Sequence, residues 1–160
     1  MICFLAGPTF VFCVVASILA TKTRRHEVNT KAFKALSDQE ENVGKAVVGA
    51  AFAVHKELGP GLLEKVYEAC FCQELISNGY DVMRQLDIPI IYRNIKFNEG
   101  LRLDVLVNDL VICELKAVDE VNPVWQAQLL SHLRLTGKRL GYLINFNVPL
   151  IKQGIRRMVL

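Results

Sequence analysis

The sequence predicts a single domain of the α/β class, an α+β sandwich in which helices pack against one sheet. Two stretches with helical spacing come first, four strand-like runs follow, and one more helical stretch precedes the last of these runs. The chain has 160 residues, which is room for one domain of ordinary size. Its hydrophobic fraction of 52% excludes a disordered chain.

Two helices are predicted before the strands. Ser37 and Glu40 have the spacing of a capping box, and apolar residues recur at helical spacing beyond them. The Gly59-Pro60-Gly61 turn ends this helix, and Asn78-Gly79 ends the next. The apolar stripe of the second helix is predicted to consist of Leu63, Val66, Ala69, Cys70 and Leu75.

The strands are predicted from their composition. Residues 88–92, 101–107 and 110–115 are rich in β-branched and aromatic side chains and predict a three-strand meander. A helix from about Pro123 to Thr136 begins with proline and ends before Gly137. Residues 140–146 are continuously apolar, which predicts a strand buried on both faces. Residues 154–160 predict a last, more basic strand.

Residues 1–36 are interpreted as an apolar segment and a basic linker, and the domain is predicted at 37–160. The first 20 residues lack charged side chains, and basic residues follow them. A signal peptide carries its positive charge before the apolar run instead. Residues 1–20 are therefore a membrane anchor, an appendage without function or, less typically, a cleaved signal. We expect the chain without residues 1–36 to fold.

Charge and cysteine content set broad limits on function. The chain carries 19 Lys and Arg against 16 Asp and Glu, and this net charge of +3 permits binding to a polyanion without arguing for it. The five cysteines form no C-x-x-C pair, and no histidine cluster has zinc-finger spacing, so a structural zinc site is not expected. We expect reduced, mostly buried thiols in a cytoplasmic protein.

The predicted sheet contains the residues best suited to chemistry, Asp104 and the run Glu114-Leu115-Lys116. Strand side chains alternate between faces, so Glu114 and Lys116 share one face. The predicted core face consists of Leu103, Val105, Val107, Val111, Cys113 and Leu115, which leaves Asp104, Leu106, Ile112, Glu114 and Lys116 on the other. Two buried carboxylates and an ammonium are costly unless paired or bound to a metal. The plainer interpretation is a solvated sheet with an ordinary cross-strand salt bridge.

The turn between the two strands of this cluster decides whether its carboxylates meet. A two-residue turn at Asn108-Asp109 would place Asp104 opposite Cys113 and Glu114 on the other face. A three-residue turn, or a bulge, would place Asp104 opposite Glu114. We predict the three-residue turn because it keeps the apolar and charged faces separate.

A wider set of motifs resembles the GxxExxY proteins, a bacterial and archaeal family of the PD-(D/E)XK nuclease superfamily. The run from Gly61 to Tyr67, with Glu64 between them, fits the signature that names the family. Other matching stretches are residues 55–61, 114–117, 127–130 and 143–146. The resemblance covers roughly residues 38–160 and implies a restriction-endonuclease-like core, a mixed central sheet flanked by helices.

By this resemblance, Asp104 matches the superfamily's Asp, and Glu114 and Lys116 match its E-x-K. Leu103 stands where the motif's name has proline. Asp104, Glu114 and the Leu115 carbonyl would hold Mg²⁺, or Mn²⁺, through hard oxygen ligands. The metal would polarise the scissile phosphate and activate water, and Lys116 would orient that water or neutralise developing charge.

The same resemblance assigns further site residues on two helices. Glu64 would be another catalytic residue and metal ligand, with Tyr67 one turn away on the same face; their alternatives are a surface carboxylate and a packing residue. Gln128 would lie near the active site, where its alternative is a solvated side chain. His132, four residues later, replaces the tyrosine that related nucleases often have. His55 is assigned to packing only.

Three classes of function follow from these residues. The first is a Mg²⁺-dependent nuclease acting on nucleic acid, DNA more than RNA. The second is a catalytically silent nucleic-acid-binding or regulatory module with a nuclease-like fold. Its phosphate contacts would come from Arg84, Arg93, Arg102, Lys138, Arg139, Arg156 and Arg157. The third is a membrane-tethered interaction protein, which depends on residues 1–20 alone.

Overall fold

The computed structural model describes residues 35–160, with the side chains of residues 98 and 99 excepted. The helices and strands in chain order are α1 (Asp38–Leu58), α2 (Glu64–Ser77), β1 (Val82–Tyr92), β2 (Ile95–Val107), β3 (Val111–Lys116), α3 (Pro123–Thr136), β4 (Leu140–Asn145), α4 (Ile151–Gly154) and β5 (Ile155–Val159). The proposed anchor at residues 1–20 lies outside the described residues. The predicted division at residue 36 therefore stays a prediction.

The five strands form one mixed sheet in the order β1-β2-β3-β4-β5. Only β3 and β4 are parallel, and α3 supplies the crossover that parallel neighbours need. One apolar cluster joins α1 and α2 to one face of the sheet, and a second joins α3 to the other. This architecture confirms the predicted α+β class. All six residues of β4 are buried, as its continuous apolar run predicted.

Helix α1 begins where its sequence predicted. The Ser37 side chain accepts from the Glu40 main-chain N–H, and the Glu40 carboxylate accepts from the Ser37 N–H at 2.7 Å. This is the predicted capping box, and it satisfies two main-chain groups that no helical hydrogen bond reaches. The buried face of α1 consists mainly of small apolar residues, which lets the helix lie close to the sheet.

The predicted apolar stripe of α2 is wrong at three of its five residues, while Leu75 is buried as predicted and Cys70 is partly buried against the core. Leu63 is 77% exposed, and Val66 and Ala69 are also exposed, whereas Tyr67, Phe71, Cys72 and Leu75 are buried. The rings explain the difference: Tyr67 stacks on Phe146 with centroids 4.7 Å apart, and Phe71 meets the same ring edge-on. Burying two aromatic side chains removes more apolar surface from water than burying smaller aliphatic ones, so the rings set the helix rotation.

Strands β1 and β2 are longer than the predicted runs and form a hairpin. Its two-residue turn, Arg93-Asn94, has φ values of 48° and 64°, the left-handed pair that suits the twist of a two-stranded ribbon. The pairing shifts between Ile88 and Ile90. The residues of β2 opposite this shift are polar, and for that reason this part of β2 was not predicted as a strand. Gly100 is required at this bulge, because a Cβ there would lie 1.8 Å from the Ile88 carbonyl oxygen.

The turn between β2 and β3 has the predicted register. Val107 pairs with Val111 and Val105 with Cys113, which leaves three residues in the turn. Asn108 and Asp109 adopt left-handed φ values of 51° and 55° within it. The prediction that the apolar and charged sets stay on separate faces is therefore confirmed for β3 and for the end of β2 next to the turn.

The predicted core face is wrong at Leu103. Val105 and Val107 pack toward α1 and α2, but Leu103 packs in the cluster that α3 covers. The alternation of side chains between the two faces of β2 breaks at this point. In the neighbouring strand Gln85 has a left-handed φ of 48°, and it is not paired with Asp104, although Val105 and Leu103 on either side are paired. Asp104 lies in this interruption of the ladder.

Candidate active site

Asp104 lies where β2 leaves β3. The described pairing of these strands ends at Val105 and Cys113, and beyond it the Asp104 carboxylate accepts a hydrogen bond from the Leu115 N–H at 3.0 Å. A side chain thus replaces the main-chain acceptor that a continuous ladder would have supplied. The carboxylate is held rigidly against β3 while its side chain remains 17% exposed.

Lys116 joins the other members of the cluster. Its Nζ donates to Glu114 Oε1 at 2.9 Å and to the Leu115 carbonyl oxygen at 2.8 Å, and it lies 3.6 Å from Asp104 Oδ2. The ammonium group therefore lies among three oxygen atoms, one each from Asp104, Glu114 and Leu115. These are the oxygens that the resemblance assigned to a metal ion.

Burial and charge shift the two titratable groups of β3. Burial and the nearby negative charge of Asp104 raise the pKa of Glu114, and the ion pair with Lys116 opposes that shift. Burial would lower the pKa of Lys116, but its hydrogen bond to Glu114 and the surrounding carboxylates raise it overall. A firmly protonated lysine thus stabilises two carboxylates that would otherwise repel each other.

The second oxygen of Glu114 has no hydrogen bond. Glu114 Oε2 and His132 Nδ1 are the two buried side-chain atoms without a partner in the described part of the chain. They lie 3.8 Å apart, too far for a hydrogen bond. Burial lowers the pKa of His132, and the charge of Asp104 acts in the opposite direction. An orphaned carboxylate oxygen at the centre of a polar cluster is available to a ligand.

Helix α3 covers this cluster with the side chains of Trp125 and His132. Trp125 lies over Lys116, with 5.7 Å between Nζ and the ring centroid, which is a cation–π contact. His132 is buried beside Glu114. Gln128 is exposed, and no hydrogen bond joins its side chain to the described residues. The role predicted for Gln128 stays a prediction. The contact of Trp125 with Lys116 was not predicted from the sequence.

Asn145 fixes the chain next to Lys116. It pairs with Lys116 across β3 and β4, and its buried amide donates to the Val118 carbonyl at 2.8 Å and accepts from the Val118 N–H at 3.1 Å. Both ends of one side chain therefore hold the segment that leads from β3 toward α3. Asn145 belongs to the matched stretch 143–146, but its positioning role was not predicted.

Glu64 lies at the rim of the site. It is exposed at the start of α2 and lines a pocket of about 480 Å³ with Asp104. The other residues of this pocket are Lys65, Glu68, Arg84, Gln85 and Arg102. The charge of Glu64 also contributes to raising the pKa of Lys116. Glu64 therefore lies on the pocket side of the cluster, next to Asp104.

Glu68 is a buried carboxylate of this pocket that sequence reasoning missed. Arg84 Nε donates to its Oε1 at 2.9 Å, and Gln85 Nε2 donates to its Oε2 at 2.8 Å. Both oxygens are therefore satisfied, which explains how the side chain can be buried. The signal was available: Glu68 follows Glu64 by four residues and so lies on the same helix face.

Two residues near the matched signature have structural roles. Tyr67 is fully buried; its hydroxyl donates to the Gly59 carbonyl at 2.6 Å and accepts from the Leu62 N–H at 3.1 Å. It therefore packs against the core and holds the turn before α2. His55 Nε2 is 2.8 Å from the Val148 carbonyl oxygen, consistent with the packing role predicted for it.

Most of the cations considered for phosphate contacts have a partner. Arg84 pairs with Glu68, Arg102 with Asp87, Lys138 with Asp109, Arg139 with Glu40 and Arg157 with Glu41. Arg156 donates to main-chain carbonyls, and Arg93 lies over the Tyr92 ring. Most of these pairs are at least partly exposed, so they are weak and can be exchanged for phosphate.

The donor set fits a hard divalent cation. Carboxylate oxygens of Asp104 and Glu114 and the Leu115 carbonyl oxygen already surround one positive group, and oxygen is what Mg²⁺ prefers. Among residues 35–160, no three His, Cys, Asp or Glu side chains group closely enough to hold a metal by themselves. The third ligand would come from the main chain, so Glu64 as a direct ligand stays a prediction.

A mixed sheet with helices on both faces and a D…E-x-K cluster where two strands part defines a nuclease-like fold of the restriction-endonuclease type. The family model of the PD-(D/E)XK nuclease superfamily matches residues 41–158, and the chain belongs to that superfamily. No curated protein and no solved structure matches the chain. Nucleases of this superfamily generally use divalent metal ions, and membership indicates a nucleic-acid partner.

Proposed function

We propose that this protein is a Mg²⁺-dependent nuclease that hydrolyses phosphodiester bonds, with DNA as the substrate and Mn²⁺ as the other candidate ion. One observation carries the proposal: Lys116 Nζ lies among oxygen atoms of Asp104, Glu114 and Leu115. A cluster built only for stability would satisfy all of its oxygens, whereas Glu114 Oε2 is left without a partner.

In this mechanism the role of each side chain follows from its position in the cluster. Asp104 and Glu114, with the Leu115 carbonyl, would hold the ion, and the bound ion would polarise the scissile phosphate and acidify a water molecule. Lys116 would exchange its contacts with the carboxylates for a hydrogen bond to that water or to the phosphoryl oxygens on which negative charge develops. Trp125 keeps the ammonium near this position through its ring face. Glu64 and Gln128 are assigned to the edge where substrate enters.

We also propose that the chain is a GxxExxY protein, because each named position has a physical role. Gly61 has a left-handed φ of 99°, which glycine adopts without strain. The Tyr67 hydroxyl holds the same turn through Gly59 and Leu62. Glu64 then begins α2 at the rim of the pocket that contains Asp104. In this interpretation, glycine and tyrosine position the glutamate.

The proposal is tested with the full chain on supercoiled plasmid, linear duplex, single-stranded DNA and RNA, with Mg²⁺, Mn²⁺ or EDTA. We expect cleavage of DNA with either ion and none with EDTA. Glu114→Gln should remove activity, while Glu57→Gln, at an exposed position of α1, should not. Cleavage that persists in EDTA or in Glu114→Gln would contradict the assignment.

A silent nucleic-acid-binding or regulatory module is the second candidate, and one observation favours it. The ammonium of Lys116 already pairs with both Asp104 and Glu114 and offsets one of their two negative charges. A chain that binds nucleic acid with unchanged affinity in EDTA, and cleaves no substrate with either ion, would establish this function instead.

We propose a cytoplasmic location, with tethering through residues 1–20 as the alternative. In residues 35–160 no helix is long and apolar enough to cross a membrane. Fractionation of cells that express the full chain tests the location. Recovery in the membrane pellet after a high-salt wash would support the tether, and recovery in the supernatant would contradict it.

A further inference from the structure

The outer part of the β1–β2 hairpin, residues 88–97, is a ribbon of two strands that we call the arm. Ile88 pairs with Leu101 at the base of the arm, and the other paired residues of the arm pair only with one another, since β2 pairs with β3 only between Val105 and Val107. Every residue from 91 to 97 is exposed. The arm carries four exposed apolar side chains, Ile91, Tyr92, Ile95 and Phe97. Water-exposed apolar groups in this number indicate a binding surface.

The charge of the arm identifies the kind of partner. Residues 88–97 contain two cations, Arg93 and Lys96, and no acidic residue. Arg93 lies over the Tyr92 ring, 5.3 Å from its centroid, and Lys96 pairs with Ile91 next to the tip. Cations beside exposed apolar and aromatic side chains are the combination by which proteins hold phosphates and insert between bases.

The shape of the arm fits a groove of duplex nucleic acid. Two strands about 4.8 Å apart form a ribbon narrow enough for the major groove, which is about 12 Å wide. The seven residue steps from Phe97 to Asp104 span about 23 Å of strand, less than one turn of about 34 Å of B-DNA. A duplex with one phosphate at the Asp104 cluster would therefore pass within reach of the arm.

We propose that the arm docks into a groove of duplex DNA, with Arg93 and Lys96 on phosphates and the apolar tip against the bases. This inference rests on the proposed function and names the substrate form for that site. A second copy of the chain is the less favoured occupant, because two arms packed together would bring Arg93 and Lys96 close to their own copies.

The test measures binding of the full chain to a labelled 20-base-pair duplex in EDTA, at several salt concentrations. In the double variant Arg93→Ala/Lys96→Ala, we expect about tenfold weaker binding and a salt slope smaller by about 1.8, the value for two lost phosphate contacts. The double variant Lys45→Ala/Lys152→Ala removes the same charge from α1 and α4 and should bind like the wild type. Ile91→Ser/Tyr92→Ser should weaken binding and leave the slope unchanged.

Thermal melting checks that the variants fold, which is expected because every altered arm residue is exposed. Wild-type-like binding by both arm variants, or no duplex binding by the wild type, would overturn the arm inference. A dimer in sedimentation that Ile91→Ser/Tyr92→Ser dissociates, with duplex affinity unchanged, would also overturn it and assign the arm to a second copy. Arm-dependent binding without metal-dependent cleavage would uphold the arm and contradict the nuclease.

Discussion

Two acidic regions adjoin Asp104, and each contains one buried carboxylate. On the α2 side, Glu68 is 7% exposed and both of its oxygens accept side-chain hydrogen bonds. On the β3 side, Glu114 is 3% exposed, yet only one of its oxygens has a partner. A satisfied buried carboxylate stabilises the fold, whereas an unsatisfied one lowers stability until a ligand binds it. This difference supports the proposed function, in which the first region has a structural role and the second a chemical one.

The largest expected effect is the loss of cleavage when the β3 region loses a charge. Asp104→Asn or Glu114→Gln should slow single-turnover cleavage at least about 100-fold, since a lost metal ligand removes several kcal/mol of transition-state stabilisation. Because the pKa of Glu114 is raised, the folded state disfavours its charged form, and this lowers stability at pH values above the ordinary pKa of a glutamate. Glu114→Gln should therefore melt at the same temperature as the wild type or higher. A large loss of stability in that variant would make Glu114 a structural residue like Glu68.

Lys116→Met should reduce the rate roughly tenfold to 100-fold, because an amine that stabilises developing charge is lost while the metal oxygens remain. Calorimetric titration of the variant with Mg²⁺ should show binding at least as strong as in the wild type, since no ammonium competes for Glu114 and Leu115. Loss of Mg²⁺ binding together with activity would show that Lys116 holds the site together.

Glu68→Gln should act on stability more than on the reaction. An amide presents one acceptor instead of two, so one of Arg84 and Gln85 loses its partner and unfolding becomes easier by about 1–3 kcal/mol. Urea denaturation measures this loss, with Glu57→Gln on the exposed face of α1 as the matched control. Cleavage should fall less than tenfold. A 100-fold loss of rate with unchanged stability would move Glu68 into the catalytic group.

The smallest expected effect is a loss of stability at alkaline pH that arises from Cys72, a neighbour of Glu68. Burial raises the pKa of Cys72 from 9.0 to about 11, the charge of Arg84 lowers it, and the charge of Glu68 raises it. A raised folded-state pKa contributes stability that is complete below pH 9 and is lost as the pH rises through 11. Denaturation midpoints between pH 8 and 11 should fall less steeply in Cys72→Ala. Parallel curves for both proteins would contradict this assignment.

Local chemistry made several features predictable. The capping box of Ser37 and Glu40 involves only neighbouring residues, and it formed as expected. The three-residue turn followed from the need to keep apolar and charged residues on separate faces of β2 and β3. The E-x-K alternation likewise placed Glu114 and Lys116 together, in contact through Nζ and Oε1.

Features that depend on distant partners were missed. The rotation of α2 follows from Phe146, which lies far along the chain from Tyr67. Glu68 became part of the site through Arg84 and Gln85 on another element. Trp125 reached Lys116 only because α3 crosses the sheet between two parallel strands.

The sequence by itself determined the order of the longer helices and the strands (not α4), the N-cap of α1, the turn register and the charged residues of one strand, because each depends on spacing within a few residues. Only the tertiary structure decided that β2 leaves β3 at Asp104, so that its carboxylate replaces a ladder acceptor and reaches Lys116. It also decided which buried carboxylate is satisfied and which is not. Hydrogen bonding of a buried group depends on all elements packed around it, and spacing along one chain segment does not specify those neighbours.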